Sequence, residues 1–279
     1  IIHNYNGWRW NIGVNLSHTG SKTISLPMAE FYDTYTNGNT AGIRLGTMVG
    51  DPVTSIHGLD FERNDKGEVL IDPTTGAPRV SSEWTHIGDR EPKLRFGFST
   101  EVTFKRQWRL SAMFSGKFKS TVINGTGRYL AQNGIDWDSV KKREQGSVII
   151  PGVLKDGNEN SENPTPNNIA ITYGNYGGTI YAGSARDWVQ PNVNYLRMSE
   201  LRLSYTFTEK FLKKATNGLL SYAQIYVSGS DLFTITNYNG LDAVGNTMSA
   251  SAGGVGGEGY DTWGIPSPRG VTCGLSIQF

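Results

Sequence analysis

The sequence predicts an all-β protein whose antiparallel strands belong to a transmembrane β-barrel with long extracellular loops. Three observations predict this fold: segments in which apolar and polar residues alternate, unequal connections between those segments, and alternation that continues to the last residue, Phe279. A period of two places one set of side chains on each face of a strand. In a membrane barrel, one face meets lipid and the other lines the interior.

The composition agrees with a β-rich chain and narrows the class of protein. The 279 residues include 35 glycines, 13 tyrosines and 7 tryptophans, which is typical of strands joined by many turns. No apolar run reaches the roughly 18–20 residues that a spanning helix needs. A formal net charge of +1 gives no electrostatic reason to expect nucleic acid as a partner. The single cysteine, Cys273, cannot form an intrachain disulfide.

Six segments alternate clearly enough to be predicted as strands: 8–16, 93–104, 109–118, 200–207, 222–230 and 269–279. Thr100 interrupts the apolar side of the second. The opposite sides carry charged residues in mid-strand, namely Arg95, Glu101, Arg109, Lys117, Glu200 and Arg202. A water-filled interior allows such charges, and so does the solvent face of a soluble sheet. Weaker strand patterns lie near 22–26, 53–62 and 146–153.

The connections between these segments differ greatly in length. Only "KRQW" (105–108) separates the second strand from the third, whereas 119–194 and 231–268 are long, irregular and rich in aromatic residues. Soluble domains seldom carry such loops, but outer-membrane barrels combine short periplasmic turns with long extracellular loops. The order of strands then places the C-terminus in the periplasm.

The final strand carries a possible assembly signal. Thr272, Gly274, Ile277 and Phe279 resemble the C-terminal signal of outer-membrane barrels, which is polar-x-Gly-x-x-apolar-x-aromatic. This resemblance implies that the barrel assembly machinery binds the last strand. Cys273 falls on the apolar side of that strand.

Longer motifs extend the resemblance to a family. "NYLRMSELRLSYTF" (194–207), "AQIYVSGSDLFTITNYNGLDAV" (223–244) and "WGIPSPRGVTCGLSIQF" (263–279) resemble the C-terminal end of SusC/RagA-type TonB-dependent transporters. Upstream, "GWRWNIGVNLSHTGSKTISL" (7–26) and "ERNDKGEVLIDPTTGAP" (62–78) resemble earlier family segments in the same order. Asp231, Ala243, Val244 and Ile265 depart from the family pattern.

The resemblance implies a bacterial outer-membrane importer of oligosaccharides or oligopeptides. Residues 1–279 would be the C-terminal portion of a plugged barrel of about 22 strands, with the plug and the earlier strands absent. We expect the chain to supply eight to ten strands, and the remainder to come from a longer polypeptide or another chain. The implied partners are a SusD-like surface lipoprotein, TonB with its inner-membrane energising complex, the assembly machinery and the lipid bilayer.

No residue is predicted to be catalytic, to bind a cofactor or to bind a metal. The histidines His3, His18, His57 and His86 lack metal-ligand spacing. A calcium loop around Gly67 would require ligands from Lys66 and Pro73, so this segment is interpreted as a tight turn. The chain is therefore not expected to be an enzyme.

Aromatic and charged residues in the predicted loops are candidates for contact with a substrate or partner. They are Trp137, Tyr173, Tyr176, Tyr181, Arg186, Trp188, Tyr238, Tyr260 and Trp263. Exposed aromatic rings stack on sugars or pack on peptides, but the same residues could instead pack the loops together. Two other functions also stay open: a passive channel or scaffold subunit, and a soluble β-sandwich that binds glycans.

Overall fold

One antiparallel sheet dominates the computed structural model, which describes residues 2–27, 31–40, 42–174, 184–244, 258–262 and 264–279. Strands are numbered along the chain, and those of this main sheet lie in chain order. They are β1 (Ile2–Tyr5), β2 (Trp8–Ser17), β8 (Leu94–Phe104), β9 (Trp108–Asn124), β13 (Val189–Thr206), β14 (Tyr222–Thr236) and β16 (Gly270–Gln278). The six predicted strands are confirmed, and β1 is added at one edge.

The register places the apolar residues of neighbouring strands on one side, here called the apolar face. Leu203 of β13, for example, lies opposite Leu110 of β9 and Val227 of β14. Fourteen large apolar side chains on this face remain 37–76% exposed: Trp8, Trp10, Val14, Leu16, Trp108, Leu110, Leu203, Ile225, Val227, Phe233, Ile235, Val271, Leu275 and Ile277. The described chain therefore leaves a broad apolar surface uncovered.

The other side, here called the polar face, holds charged side chains that contact one another. Glu101 accepts a hydrogen bond from Asn11 at 3.2 Å and pairs with Arg109 at 3.7 Å. The guanidinium of Arg202 lies 3.9 Å from the centre of the Tyr226 ring. The predicted separation of the two faces is confirmed.

Thr100, which interrupts the apolar pattern, lies on the apolar face as the alternation predicts. Its hydroxyl accepts a hydrogen bond from the indole nitrogen of Trp10 on β2, at 2.8 Å. This bond satisfies two polar groups on an otherwise apolar surface, which lowers the cost of placing them there.

Short connections gather at one end of the sheet, here called the short-turn end. Lys105 and Arg106 have φ of 48° and 60°, and the amide of Gln107 donates to the carbonyl of Phe104 at 3.1 Å. The predicted tight turn is thus confirmed. A short helix, α3 (Glu209–Ala215), joins β13 to β14 at this end, and the last residue, Phe279, follows β16 there.

Three long connections, 18–93, 125–188 and 237–269, leave the opposite end, here called the long-loop end. Their small strands are β3 (Phe31–Thr40), β4 (Ile43–Met48), β5 (Ser55–Gly58), β6 (Leu70–Ile71), β7 (Thr85–Asp89), β10 (Ser147–Ile149), β11 (Val153–Leu154), β12 (Ala170–Thr172) and β15 (Tyr260–Asp261). Their helices are α1 (Gly125–Gln132) and α2 (Trp137–Gln145). β3, β4, β5 and β7 form a four-stranded sheet, and β15 pairs in parallel with β9.

Several details of the prediction are wrong. The described residues of 119–194 are not all irregular, because β9 continues to Asn124, whose side chain caps α1, and Asp136 caps α2. The weak patterns at 53–62 and 146–153 yield short strands in the loops, and described residues 22–26 form none. The eight to ten strands expected of the chain agree at the lower limit with the main sheet, in which the described residues form eight strands: seven in antiparallel order and the two-residue β15.

In the part of the chain that the structure describes, no helix is long and apolar enough to cross a membrane.

Candidate functional site

All three long connections share one hydrophobic core. The four-stranded sheet contributes residues from β4 and β5, the second connection contributes residues next to β13, and the third contributes β15. The buried members of this core, here called the loop core, are Ile43, Leu45, Ile56, Ile123, Ala185, Val189 and Tyr260. The loops therefore fold as one body above the sheet rather than as separate hairpins.

Residues 258–262 cross the top of the main sheet. The amide of Ile123 on β9 donates to the carbonyl of Gly259 at 2.9 Å, and Arg90 donates to the carbonyl of Glu258 at 3.0 Å. Gly259 has φ of +80°, and a Cβ there would lie 3.0 Å from Arg90. Only glycine fits this crossing without strain.

Glu258 connects this crossing segment to the polar face. Its carboxylate accepts from Arg95 of β8 at 3.0 Å and contacts the ammonium of Lys117 on β9. Arg95 also pairs with Glu91 at 3.0 Å. Two basic residues of adjacent strands thus converge on one acidic residue from the third connection, and this ionic cluster closes the polar face at the long-loop end.

The charge on Glu258 is expected to persist at every pH of bacterial growth. Burial raises the pKa of Glu258, but hydrogen bonds and charge from Arg95 and Lys117 outweigh burial and lower the pKa from its ordinary 4.5 to about 2. Because the folded-state pKa is the lower one, the stabilisation is complete above the ordinary value and is lost as the pH falls towards 2.

Glu258→Gln is therefore expected to loosen the crossing segment equally at pH 5 and pH 8. The free energy that holds the crossing segment in place is expected to fall by roughly 1–3 kcal/mol. This is less than the ~3–5 kcal/mol for breaking a fully buried pair, because the Glu258 side chain is 32% exposed. Hydrogen–deuterium exchange at the Ile123 amide measures this change, because that amide donates to Gly259 of the crossing segment. Glu209→Gln, which breaks an exposed pair at the short-turn end, is the matched control; unchanged exchange in Glu258→Gln would contradict the assignment.

A second buried acid, Asp261, holds the third connection together. It accepts from the hydroxyl of Tyr238 at 2.8 Å and from Thr126 of α1 at 3.0 Å. Burial and the neighbouring charge of Asp261 both raise the pKa of Tyr238, so the phenol stays a neutral donor. This bond joins the two described ends of a segment whose middle, 245–257, lies outside the described residues.

The structure brings together two histidines that the sequence analysis treated as scattered. His57 of β5 lies opposite His86 of β7 with ring centres 5.5 Å apart, and its Nε2 is 3.0 Å from Asp51. Burial lowers the pKa of His57, with Asp51 opposing this and His86 and Arg44 adding to it.

The segment around Gly67 is a tight turn, as interpreted. Its amide donates to the carbonyl of Asn64 at 2.9 Å, with φ of +85° at the glycine. The ammonium of Lys66 donates to the carbonyls of Ser161 and Glu162 at 2.9 and 2.8 Å. These two carbonyls are therefore bound by the ammonium of the protein's own lysine.

The predicted contact residues that the structure describes do not form one cluster. Tyr238 and Tyr260 are 7% and 5% exposed, so the alternative that they pack the loops together applies to them. Trp188 packs against the loop core, and Tyr173 packs beside Ile71, Ile150 and Ile171. Tyr176, Tyr181 and Trp263 lie outside the described residues.

Two of the predicted contact residues remain accessible. Trp137, the first residue of α2, is 76% exposed, with the ammonium of Lys141 5.3 Å from its ring centre. Arg186 is exposed but pairs with Asp60 at 2.6 Å. Trp137 is therefore the better placed of the two to contact a substrate or partner. Sequence reasoning missed Glu258 and Asp261, which lie in the predicted loop 231–268.

Three residues of the predicted assembly signal lie on the edge strand β16, and Phe279 follows it. Thr272 faces Ser228 on the polar face, and Ile277 and Phe279 follow the apolar face. A Cβ at Gly274 would lie 2.3 Å from the ring of Tyr226, which occupies the space above the glycine. The glycine thus leaves room for an aromatic side chain of the neighbouring strand.

Comparison with known proteins finds relatives among receptors that depend on TonB. No family model matches the chain. It is 22% identical to TonB-dependent receptor P3 and 21% identical to TonB-dependent receptor P26 of Formosa agariphila, over 97% and 98% of its own length. The chain spans 27% of the length of each of these relatives.

Solved structures with a similar fold include the RagAB peptide importer. The chain aligns over its full length with the 'closed-closed' state at a TM-score of 0.61 and 19% identity, covering 28% of that chain. The 'open-open' state gives a TM-score of 0.58, 18% identity and 27% coverage. The predicted fold class is confirmed: the described residues form a mostly antiparallel sheet with the fold of the matched part of the RagAB importer, and this sheet is not closed.

Proposed function

We infer that the chain is the C-terminal barrel portion of a SusC/RagA-type TonB-dependent transporter, which actively imports oligosaccharides or oligopeptides across the bacterial outer membrane. The observation that carries this proposal is a sheet with an uncovered apolar face on one side and interacting charges on the other. Lipid is the natural solvent of the first face, and a hydrated interior suits the second.

The unpaired edges of the sheet indicate that it belongs to a larger barrel. β1 and β16 each have one pairing partner in the described main sheet. An unpaired backbone edge in lipid costs several kcal/mol for each unsatisfied group, so spanning sheets close on themselves. We propose that further strands of the same transporter pair with both edges.

The two ends of the sheet then have different partners. The long-loop end would face outwards, where a SusD-like lipoprotein could bind the folded loops near the exposed Trp137. The short-turn end would face the periplasm, with the C-terminus, and TonB would act from that side on the plug. The assembly machinery would bind β16 before the barrel closes. The similarity to the RagAB importer and to TonB-dependent receptors supports the lipoprotein and TonB as partners.

The topology predicts a specific labelling pattern. In a Cys273→Ser background and in cells that lack the surface lipoprotein, Trp137→Cys is expected to react with a membrane-impermeant maleimide on intact cells, because this side chain is exposed at the long-loop end. Arg106→Cys, exposed in the turn at the other end, should react only after the outer membrane is permeabilised. The reverse pattern would invert the barrel and overturn the assignment.

Uptake by the full-length transporter tests the function. Cells producing it are given fluorescent oligosaccharide and oligopeptide pools, with a deletion strain for comparison. Active import predicts accumulation of one pool that stops when an uncoupler collapses the proton-motive force. Uptake that is unaffected by the uncoupler would favour the passive channel, and no uptake of either pool would favour a scaffold subunit.

The soluble β-sandwich has less support. A sandwich covers the apolar face of each sheet with a second sheet, whereas residues of this apolar face such as Leu16, Ile235 and Val271 are 63–76% exposed.

A further inference from the structure

A groove opens on the apolar face close to the short-turn end. It encloses about 440 Å³, and its apolar lining comes from three adjacent strands and the residue after β13. The lining side chains are Trp108, Leu203, Tyr205, Phe207, Ile225 and Val227. This depression has the size and polarity to hold a hydrocarbon chain.

A run of aromatic rings leads from the groove to α3. The ring centres of Trp108 and Tyr205 are 4.6 Å apart, those of Tyr205 and Phe207 are 5.0 Å apart, and Phe207 stacks on Phe211 at 5.5 Å. Phe211 is 54% exposed. Amphipathic aromatic rings such as those of Trp108 and Tyr205 are typical of the boundary between hydrocarbon and headgroups.

The connections at the same end of the sheet carry an excess of positive charge. The connections 6–7, 105–107 and 207–221 contain five basic residues and one acidic residue, and they are Lys105, Arg106, Lys210, Lys213, Lys214 and Glu209. Glu209 pairs with Lys213 at 2.6 Å. Lys214 follows Phe211 by three residues and so lies on the same side of the helix, next to the aromatic run.

We propose that the groove and these basic residues bind an anionic phospholipid of the membrane leaflet at the short-turn end. One acyl chain lies in the groove, and the phosphate headgroup contacts Lys210, Lys214 and Arg106. The apolar lining selects a lipid over a soluble anion, and the excess of basic residues selects an anionic over a zwitterionic headgroup. The proposal rests on the part of the proposed function in which the sheet spans the membrane.

Native mass spectrometry of the full-length transporter, delipidated in detergent, tests this site. The probes are phosphatidylglycerol and phosphatidylethanolamine with identical acyl chains. Phosphatidylglycerol is expected to bind more tightly. Lys210→Gln with Lys214→Gln should weaken its binding roughly 25-fold, which is about fivefold for each lysine, and leave phosphatidylethanolamine binding unchanged. Val227→Trp, which fills the groove, should weaken the binding of both lipids.

Two controls separate the possible failures. Lys141→Gln with Lys142→Gln removes the same charge from α2 at the long-loop end and should have no effect. A phosphatidylglycerol with two-carbon chains should not compete, whereas competition by it or by inorganic phosphate would show an anion site without a lipid groove.

Equal affinity for both lipids in a transporter that still folds, shown by its heat-modifiable migration in SDS gels, would overturn the lipid site alone. Loss of that migration pattern in the unmodified protein would overturn the membrane assignment itself.

Discussion

Leu203→Arg is expected to cause a severe loss of folded protein in the membrane. Leu203 lies within the apolar face, between Leu110 and Val227 in register, and is 41% exposed to what we propose is lipid. An arginine on the lipid face of a barrel costs about 2–4 kcal/mol near the bilayer midplane and less near its edges. Such a cost is a large fraction of the stability of an ordinary domain.

The matched control for this substitution is Glu200→Arg. Glu200 is three residues earlier on the same strand but faces the polar side, where a hydrated interior accepts arginine. The fraction of protein that resists SDS until heated measures folding in both variants. Equal tolerance of the two arginines would indicate a soluble sheet and remove the basis of the proposed function.

Gly274→Val is expected to reduce the amount of assembled barrel strongly. The new side chain would begin 2.3 Å from the ring of Tyr226, which itself lies 3.9 Å from the guanidinium of Arg202. Overpacking costs typically ~1–3 kcal/mol, and here it falls on β16, the strand we propose the assembly machinery binds. Deleting Phe279, 79% exposed beyond that strand, should also lower the assembled amount.

Quantifying folded protein in isolated outer membranes measures both effects. Ser276→Val is the control for Gly274→Val, because Ser276 faces the same side of β16, opposite Gln224 rather than an aromatic ring. Adding Tyr226→Ala to Gly274→Val should restore assembly by removing the clash, since contacting residues show coupled effects. If Gly274→Val assembles normally, or if Tyr226→Ala gives no rescue, the steric account is wrong.

The sequence predicted the main sheet well because strand alternation is a local signal. The end of β8 at Phe104 and the turn that follows could be identified from neighbouring residues alone. The loops could not, since their structure depends on contacts between distant segments. Glu258 meets Arg95, 163 positions away, and the pairing of His57 with His86 follows from the loop sheet.

The dependence on contacts between distant segments also explains why the burial of the aromatic loop residues could not be predicted. Composition showed that tyrosines and tryptophans are abundant in these segments, but it carried no information about which would be buried. Tyr238 is buried and bonded to Asp261. Trp137 is exposed as the first residue of α2, directly after the cap residue Asp136. Accessibility of a loop aromatic residue is a property of tertiary structure.

The loop core has a consequence for how such a protein can diversify. Ile56, Ala185 and Tyr260 come from three different connections, yet they are buried in one cluster. An insertion or exchange confined to one connection therefore disturbs the packing of the other two. A new specificity would therefore arise more readily by exchange of all three connections together than by separate changes in each.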